Sequence, residues 1–574
     1  MSYANGEIYI KNIRSAANTD TYTLKGNPDG ETFVPTFTSH GFRYVEITGN
    51  GELLFDNDCI LSMEALVLCN TPEVIGGFSC SDPLINKLQS NIEWGQRGNS
   101  LLVFTDCPQR NERMGWTGDA QVFAATAAWN MDIKAFMRKW LLDVRDGQLM
   151  YNKQGAVPDT APLGGDNRPA GCAGWADASV IVPWEMYLAT GDVQILEENY
   201  DCMRKWIAYQ SLDTRQNFGL RTVNGTPVPA QSDLASIPYI QVQQSRGDHL
   251  TFDESTPFIL TATAYAAYVA DLMSRIAAIL GKPEDSRFYR DRFEKVRQAF
   301  REAWVQEDGS LAYWGEMCKS GKDTKGAIIN KTRYSNEPGN PNHPSQTAYA
   351  LAIHFNLMPE ATMARTAECF IQSIKDRDEH LSVGFLGISH LLPALTKIGE
   401  NALAYRLMEQ KGNPGWLYSV INGATTIWER WNSYIAETGT FGDVSMNSFN
   451  HYAYGAIGEW MYRTVLGIQS SEAAGESGYK RILISPLWGG SLTHANGWHL
   501  SPYGRIESAW ELKDSEILYH CTIPANTTAR LTLPLSGTQK RVTAAESTGV
   551  TAVSCPQGYA AYELKAGSHS FTIS

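Results

Sequence analysis

Basic tracts are missing from this 574-residue chain, whose formal net charge is −13. That argues against nucleic acid or an anionic membrane surface as partner, because both recruit clustered Lys and Arg. No apolar run reaches the length of a membrane span. The N-terminus, Met1-Ser2-Tyr3-Ala4-Asn5-Gly6-Glu7, lacks the basic and apolar regions of a signal peptide. Ten cysteines are scattered with no Cys-x-x-Cys pair and no clustering near histidine. This argues against a zinc site or a disulfide framework and for reduced, buried thiols in a cytoplasmic protein. None of the eleven histidines stands in a His-x-x-x-His or Ser/His/Asp-type signature. No metal and no other cofactor is implied.

What is present is a soluble globular composition, 43% hydrophobic and 19% charged, with sixteen tryptophans. The length suggests roughly three to four domains. One stretch concentrates chemistry: Asp106-Cys107-Pro108-Gln109-Arg110-Asn111-Glu112-Arg113-Met114-Gly115-Trp116-Thr117-Gly118-Asp119. Carboxylates interleaved with arginine and tryptophan on a Pro- and Gly-broken segment suit a polar cleft for a neutral, hydroxyl-rich molecule. Acids accept hydrogen bonds from hydroxyls, arginine donates to ring oxygens, and an indole covers C–H faces. A surface ion-pair cluster is the alternative on composition alone.

Residues 1 to about 76 read as β, with strand-like Thr21-Tyr22-Thr23-Leu24 and Phe42-Arg43-Tyr44-Val45-Glu46-Ile47 between turn residues. The texture changes at Ser81-Asp82-Pro83, where Ser81 is a candidate N-cap and Leu84, Leu88 and Ile92 follow at helical spacing. Helical segments are predicted near 82–98, 118–130, 132–149, 176–190, 193–212, 256–281, 284–306, 344–357, 360–377, 382–398, 400–411 and 447–466. Long loops at 151–175, 213–255 and 310–343 separate some of them and suit functional roles. About a dozen helices fit an (α/α)6 barrel with a cleft at one end; the alternative is a helical solenoid, for which no fixed-period repeat is seen. Arg481-Ile482-Leu483-Ile484-Ser485, Arg530-Leu531-Thr532-Leu533 and Ser570-Phe571-Thr572-Ile573 then read as strands of a C-terminal β-sandwich. The expected division is an N-terminal β-domain at 1–76, a barrel at 77–469 and a sandwich at 470–574.

Two further segments carry candidate chemistry. In Thr425-Thr426-Ile427-Trp428-Glu429-Arg430-Trp431-Asn432, tryptophans can desolvate Glu429 while Arg430 opposes the effect. Ser445-Met446-Asn447-Ser448-Phe449-Asn450-His451-Tyr452 opens a helix with polar residues and one histidine, a residue type more often structural than functional.

Together these segments resemble glycoside hydrolase family 78, the α-L-rhamnosidases, over nearly the whole chain. His40-Gly41-Phe42-Arg43-Tyr44-Val45 resembles the family's β-domain before the barrel. Residues 106–119, Gly174-Trp175-Ala176-Asp177-Ala178, Val383-Gly384-Phe385-Leu386-Gly387 and 425–432 resemble its barrel signatures. Pro524-Ala525-Asn526-Thr527-Thr528-Ala529 resembles its C-terminal sandwich. The resemblance implies an inverting hydrolase of terminal α-L-rhamnosides, with Glu112 as general acid and Glu429 as general base. By the same resemblance Asp106, Arg110, Trp116, Asp119, Trp175 and His451 line the rhamnose pocket, with Trp116 and Trp175 as an apolar wall for the sugar's methyl group. The implied partner is a rhamnose-containing glycoside, and a homo-oligomer is allowed.

Two departures bear on substrate. Larger family members carry further N-terminal β-domains, including carbohydrate-binding modules, so small glycosides are the expected substrates here. In Arg246-Gly247-Asp248-His249-Leu250 the family often has tryptophan where His249 stands, which removes a stacking surface. A glycoside phosphorylase on the same barrel would need a phosphate site in place of the second glutamate. A non-catalytic sugar-binding protein would use the same tryptophans and acids without needing Glu112 and Glu429 to face one another.

Overall fold

The computed structural model describes residues 7–49, 60–71, 73–151, 154–164, 170–211, 222–223, 226–227, 238–241, 246–254, 256–312, 344–535, 541–545 and 548–574. Much of the three long loops expected at 151–175, 213–255 and 310–343 lies outside them.

The helical part begins at α1 (Pro83–Asn99), with proline in its first turn. The cap is Asp82, whose carboxylate accepts the Leu84 N–H at 2.7 Å. Ser81, the expected cap, instead accepts the Thr493 N–H through its hydroxyl. There follow α2 (Thr117–Asn130), α3 (Lys134–Tyr151), α4 (Ala178–Thr190) and α5 (Val193–Ser211). Next come α6 (Phe258–Ile279), α7 (Pro283–Trp304), α8 (Gln346–His354), α9 (Met363–Lys375), α10 (Phe385–Lys397), α11 (Asn401–Glu409) and α12 (Trp416–Ile421). The short helix α12 has no counterpart in the sequence reading.

Two kinds of helix alternate. In α2 every residue but Ala125 is buried, and α4, α6, α8 and α10 are likewise covered on most faces. α7 instead buries one stripe, Tyr289, Phe293, Val296, Phe300 and Trp304, and turns its charges outward. The covered helices touch in sequence, α2 to α4 to α6 to α8 to α10. The turns at Ala453–Ala456 and Ile457–Trp460 close the ring back onto α2. Helices α3 and α5 pack outside α4, α7 outside α6, α9 outside α8 and α11 outside α10. This is a closed barrel of paired helices, and the inner helices all begin at one end of it.

The last inner element starts at Ala453, not near 447 as the spacing predicts. Asn447 and Ser448 are diverted before it: Asn447 Nδ2 donates to the Ser433 carbonyl at 2.8 Å and Ser448 N to Glu429. Side chains and backbone satisfied this way have no call on helical hydrogen bonds.

The C-terminal region is a sheet built on two long strands, Glu516–Pro534 and Tyr559–Ile573, paired antiparallel. Their register shifts between Ile523 and Thr528, where Asn526 takes φ +62°. Before the shift Glu516–Pro534 pairs with Gly504–Lys513, after it in parallel with Arg481–Ile484. The bulge thus lets one strand serve two layers. Alternation along Ala529–Leu533 matches burial as the sequence reading has it. A feature the sequence did not reveal is that Gly76–Cys80, preceding the barrel, is an edge strand of this sheet against His494–Ser501.

Thr21–Leu24 and Phe42–Ile47 are not strands; both stretches are exposed and without regular secondary structure. An alternating pattern gives a strand only when a neighbour takes its ladder, and none pairs with either stretch among the described residues. No helix among the described residues is long and apolar enough to cross a membrane.

Candidate active site

The segments that enter the inner helices converge at one end of the barrel. Residues 106–116 lead into α2, Gly174–Asp177 into α4, and 427–451 into the closing turn. All eight residues singled out in the sequence meet there: Asp106, Arg110, Glu112, Trp116, Asp119, Trp175, Glu429 and His451.

Arg110 is the centre of the cluster and almost completely buried. Its guanidinium donates to both oxygens of Glu429, Nη1 to Oε2 at 2.7 Å and Nη2 to Oε1 at 3.0 Å. The same Nη2 lies 2.8 Å from Glu112 Oε2 and 3.5 Å from Asp106 Oδ2. The nearest oxygens of Glu112 and Glu429 therefore lie no more than about 6 Å apart, bridged by one nitrogen. Burial would lift Arg110 out of its charged state, but the hydrogen bonds and charge of Glu429 hold its pKa above the usual value.

Each carboxyl has its own environment. Burial alone would raise Glu429; the charge of His451, the Arg110 fork and the Ser448 N–H at 2.6 Å overcome it and leave the pKa below the usual range. Asp106 goes the other way, pushed up to about 7 by burial first and by Glu112 second. Asp106 Oδ1 still accepts the Met114 N–H at 2.8 Å, which folds the loop back on itself. Glu112 Oε1 accepts the Trp116 indole N–H at 3.0 Å. His451 Nε2 lies 3.1 Å from Asp119 Oδ1. Burial opposes its charge, and the Asp119 hydrogen bond and charge win, so the imidazole pKa is raised.

The arginine that neutralises Glu429 is thus Arg110, distant in sequence, and not the neighbouring Arg430, whose Nε reaches Asn432 instead. Arg113 points away too, toward the Ser39 carbonyl.

Two glycines allow close packing beside the tryptophans. A Cβ on Gly118 would run into the Trp175 ring, and one on Gly115 into the Ala161 carbonyl. Asp177 accepts from Gly174 N at 2.7 Å and Trp206 Nε1 at 2.8 Å, which anchors the turn presenting Trp175. Arg246, overlooked in the sequence, lies over both rings, 5.0 Å from the Trp116 centroid and 5.7 Å from that of Trp175. It is held by buried Asp159 at 2.8 Å. Its neighbour Asp248 accepts N–H bonds from Gly384, Leu386 and Gly387 and ties the loop to the start of α10. His249 is thereby fixed edge-on to Trp175 and Phe385. Burial drives its pKa down to about 4, so the ring is neutral at ordinary pH. The signal for Arg246 and Asp248 was their adjacency to His249 in one polar loop.

Among the described residues, Asp106, Cys107 and Glu112 could together present ligand atoms to a metal ion. The fit is poor: Arg110 already places positive charge against both carboxylates, and burial keeps the Cys107 thiol protonated by pushing its pKa far up.

Comparison with known proteins gives the same direction along the whole chain. Residues 73–465 match the family model for the bacterial alpha-L-rhamnosidase 6 hairpin glycosidase domain. Residues 467–548 match the bacterial alpha-L-rhamnosidase C-terminal domain and 2–67 the concanavalin-like domain. An alpha-L-rhamnosidase of Streptomyces avermitilis is 40% identical over 569 residues, 99% of this chain and 48% of that protein. One from Formosa agariphila is 38% identical over 541 residues, 93% of this chain and 52% of that protein. The crystal structure of Streptomyces avermitilis alpha-L-rhamnosidase complexed with L-rhamnose superposes with TM-score 0.82 at 38% identity, covering 100% of this chain and 49% of that one. The chain spans about half the length of the curated relatives it matches.

Proposed function

The chain belongs to the bacterial α-L-rhamnosidases, and on that premise we propose that it hydrolyses terminal α-L-rhamnosyl residues from small glycosides or oligosaccharides, as an exo-acting, inverting glycosidase. Glu112 is the general acid that protonates the glycosidic oxygen, and Glu429 the general base that activates water on the opposite face of the sugar. Asp106, Arg110, Asp119 and His451 meet the sugar hydroxyls, while Trp116 and Trp175 offer apolar faces to the methyl group. The helical barrel within residues 77–469 forms the catalytic unit, between 1–76 and 470–574, although Gly77–Cys80 pairs with the C-terminal sheet.

One observation carries this reading: Glu112 and Glu429, from opposite ends of the helical part, meet on a single nitrogen of Arg110. A sugar-binding protein has no need of that convergence. The lowered pKa of Glu429 keeps it ionised, as a base must be. An inverting pair works with its carboxyl groups about 6.5–9.5 Å apart, leaving room for sugar and water. The bound of about 6 Å on the nearest oxygens of Glu112 and Glu429 is compatible with that separation of the carboxyl groups.

The test is the anomer first released. Proton NMR during hydrolysis of p-nitrophenyl α-L-rhamnoside should show β-L-rhamnose before mutarotation. The α-anomer appearing first would remove the inverting mechanism, and no release of rhamnose would remove the hydrolase.

A further inference from the structure

The segment before the barrel also reaches the site. A 3-10 turn at Lys11–Ile13 ends on Arg14, whose backbone takes φ +56°, uncommon for a residue with a side chain. The conformation is held because the side chain is anchored at both ends. Nη1 donates to Glu112 Oε2 at 3.0 Å, Nε donates to the Ser445 carbonyl at 2.7 Å, and Nη2 lies 3.8 Å from Met446 Sδ. Its neighbours follow the same course: Asn111 Nδ2 donates to Ser15 Oγ at 2.6 Å, and Tyr9 packs on Phe441 with centroids 5.0 Å apart. Arg14 thus spans the two loops that build the site. One carries Glu112; the other supplies, at Ser448, the N–H that holds Glu429.

The contacts divide the two oxygens of Glu112. Oε2 takes both guanidinium groups, Arg14 and Arg110. Oε1 meets the Trp116 N–H and neither arginine. A carboxyl pinned through Oε2 cannot rotate, and Oε1 is the oxygen left to carry a proton toward a glycosidic oxygen. We propose that Arg14 is a positioning residue for the general acid, bracing Glu112 against the Ser445–Met446 backbone so that Oε1 faces the leaving group. This rests on the reading of Glu112 as the acid. On this proposal Arg14 acts through Glu112 and not directly on the sugar or the reacting bond.

A brace on the acid matters in proportion to how badly the leaving group needs its proton, which gives a readout that loosened folding would not move. Wild-type, Arg14→Ala, Arg14→Lys and Ser15→Ala proteins are assayed on a methyl or sugar-linked rhamnoside and on the 2,4-dinitrophenyl rhamnoside. Loss of one partly screened, charge-assisted hydrogen bond suggests that Arg14→Ala lowers kcat about tenfold on the poor leaving group, with KM unchanged. On the dinitrophenyl substrate its kcat should change less than about twofold, since that departure needs no proton. Arg14→Lys should recover part of the loss. Ser15→Ala, which frees the segment at Asn111 but keeps the guanidinium, should retain the wild-type ratio of the two rates. Equal losses on both substrates, or no loss on either, would overturn the proposal. If Glu112→Gln itself shows no dependence on leaving group, the acid assignment fails, and the role of Arg14 fails with it.

Discussion

Glu429 and Glu185 are both enclosed glutamates with an arginine and a tryptophan close by, yet the protein drives them in opposite directions. Glu429 lies in the field of the His451 charge and receives two parallel N–H bonds from Arg110 and a third from the Ser448 backbone, and its pKa falls below the usual range although burial alone would raise it. Glu185 lines a cavity between the inner helices and the C-terminal sheet, with Trp129, Arg463 and Tyr479, so that part of its surface stays uncovered. There the arginine serves a different acid, Arg463 bonding Glu459 at 2.9 Å. No hydrogen bond reaches Glu185 among the described residues. Burial first, and the charge of Glu459 second, push it up to about 8. The residue types are the same in both places. What differs is the surrounding charge and donors: the charge of His451 and the N–H bonds of Arg110 and Ser448 beside Glu429, the charge of Glu459 beside Glu185.

The comparison is broken most severely by removing the carboxylates themselves. On the proposed mechanism Glu112→Gln and Glu429→Gln should each cost ~10²–10⁴-fold in turnover while the fold survives. An activated aryl leaving group should partly rescue Glu112→Gln and leave Glu429→Gln unrescued. Full activity in either variant takes that residue out of its role.

Removing the arginine tests the electrostatics directly. Arg110→Ala strands Glu429 in a buried site with only the Ser448 N–H and the His451 charge to hold it, a loss that should cost about 3–5 kcal/mol of stability. Urea unfolding followed by tryptophan fluorescence measures it. A change below about 1 kcal/mol would mean that water already solvates Glu429 and that burial is not what Arg110 offsets.

A smaller effect separates packing from charge. Gly118→Ala drives a methyl group into the Trp175 ring, and the shift should cost about 1–3 kcal/mol. If Trp175 is a wall of the sugar pocket, KM for the rhamnoside rises while the pH dependence of kcat stays as in wild type. Unchanged KM would make Trp175 a core residue only.

The sequence made the two ends of this argument legible and left the middle dark. Residues 106–119 and 425–432 stand out because acids, arginines and tryptophans seldom share a short segment, and the structure brings both to the mouth of one barrel. Helices α1, α3 and α5 follow from apolar spacing because each buries one stripe, while α2 and α4 stand out as apolar on nearly every face. Pairing across the chain was not legible. That Arg110 and not Arg430 grips Glu429, and that Gly76–Cys80 joins the C-terminal sheet, depend on contacts hundreds of residues apart. The strand-like pattern at Thr21–Leu24 and Phe42–Ile47 misleads for the same reason, since alternation states which face is apolar and not whether a partner strand exists. Arg14 escaped notice because nothing local marks it; its role comes from where its two anchors lie.

Glu185 offers the mildest way to sharpen the contrast. Its folded pKa, about 8, stands above the ordinary glutamate value of about 4.5. Below the lower value the side chain is protonated in both folded and unfolded chains, and its contribution is fully present. Between the two the unfolded chain has released the proton while the folded chain still holds it, so stability falls as pH rises and reaches its floor above about 8. Glu185→Gln keeps the shape and removes the titration. It should match wild type near pH 4 to 5 and exceed it at pH 8 to 9, by on the order of 1–2 kcal/mol once relaxation around the cavity is allowed for. Thermal unfolding at the two pH values makes the comparison, with Glu429→Gln as its counterpart. That variant loses a carboxylate held below its usual range, whose stabilisation is present above the unfolded value and fades as pH falls, so its deficit should shrink toward acid. If both variants lose or gain stability equally at every pH, the donors around the two glutamates do not set their protonation, and the contrast between the sites fails.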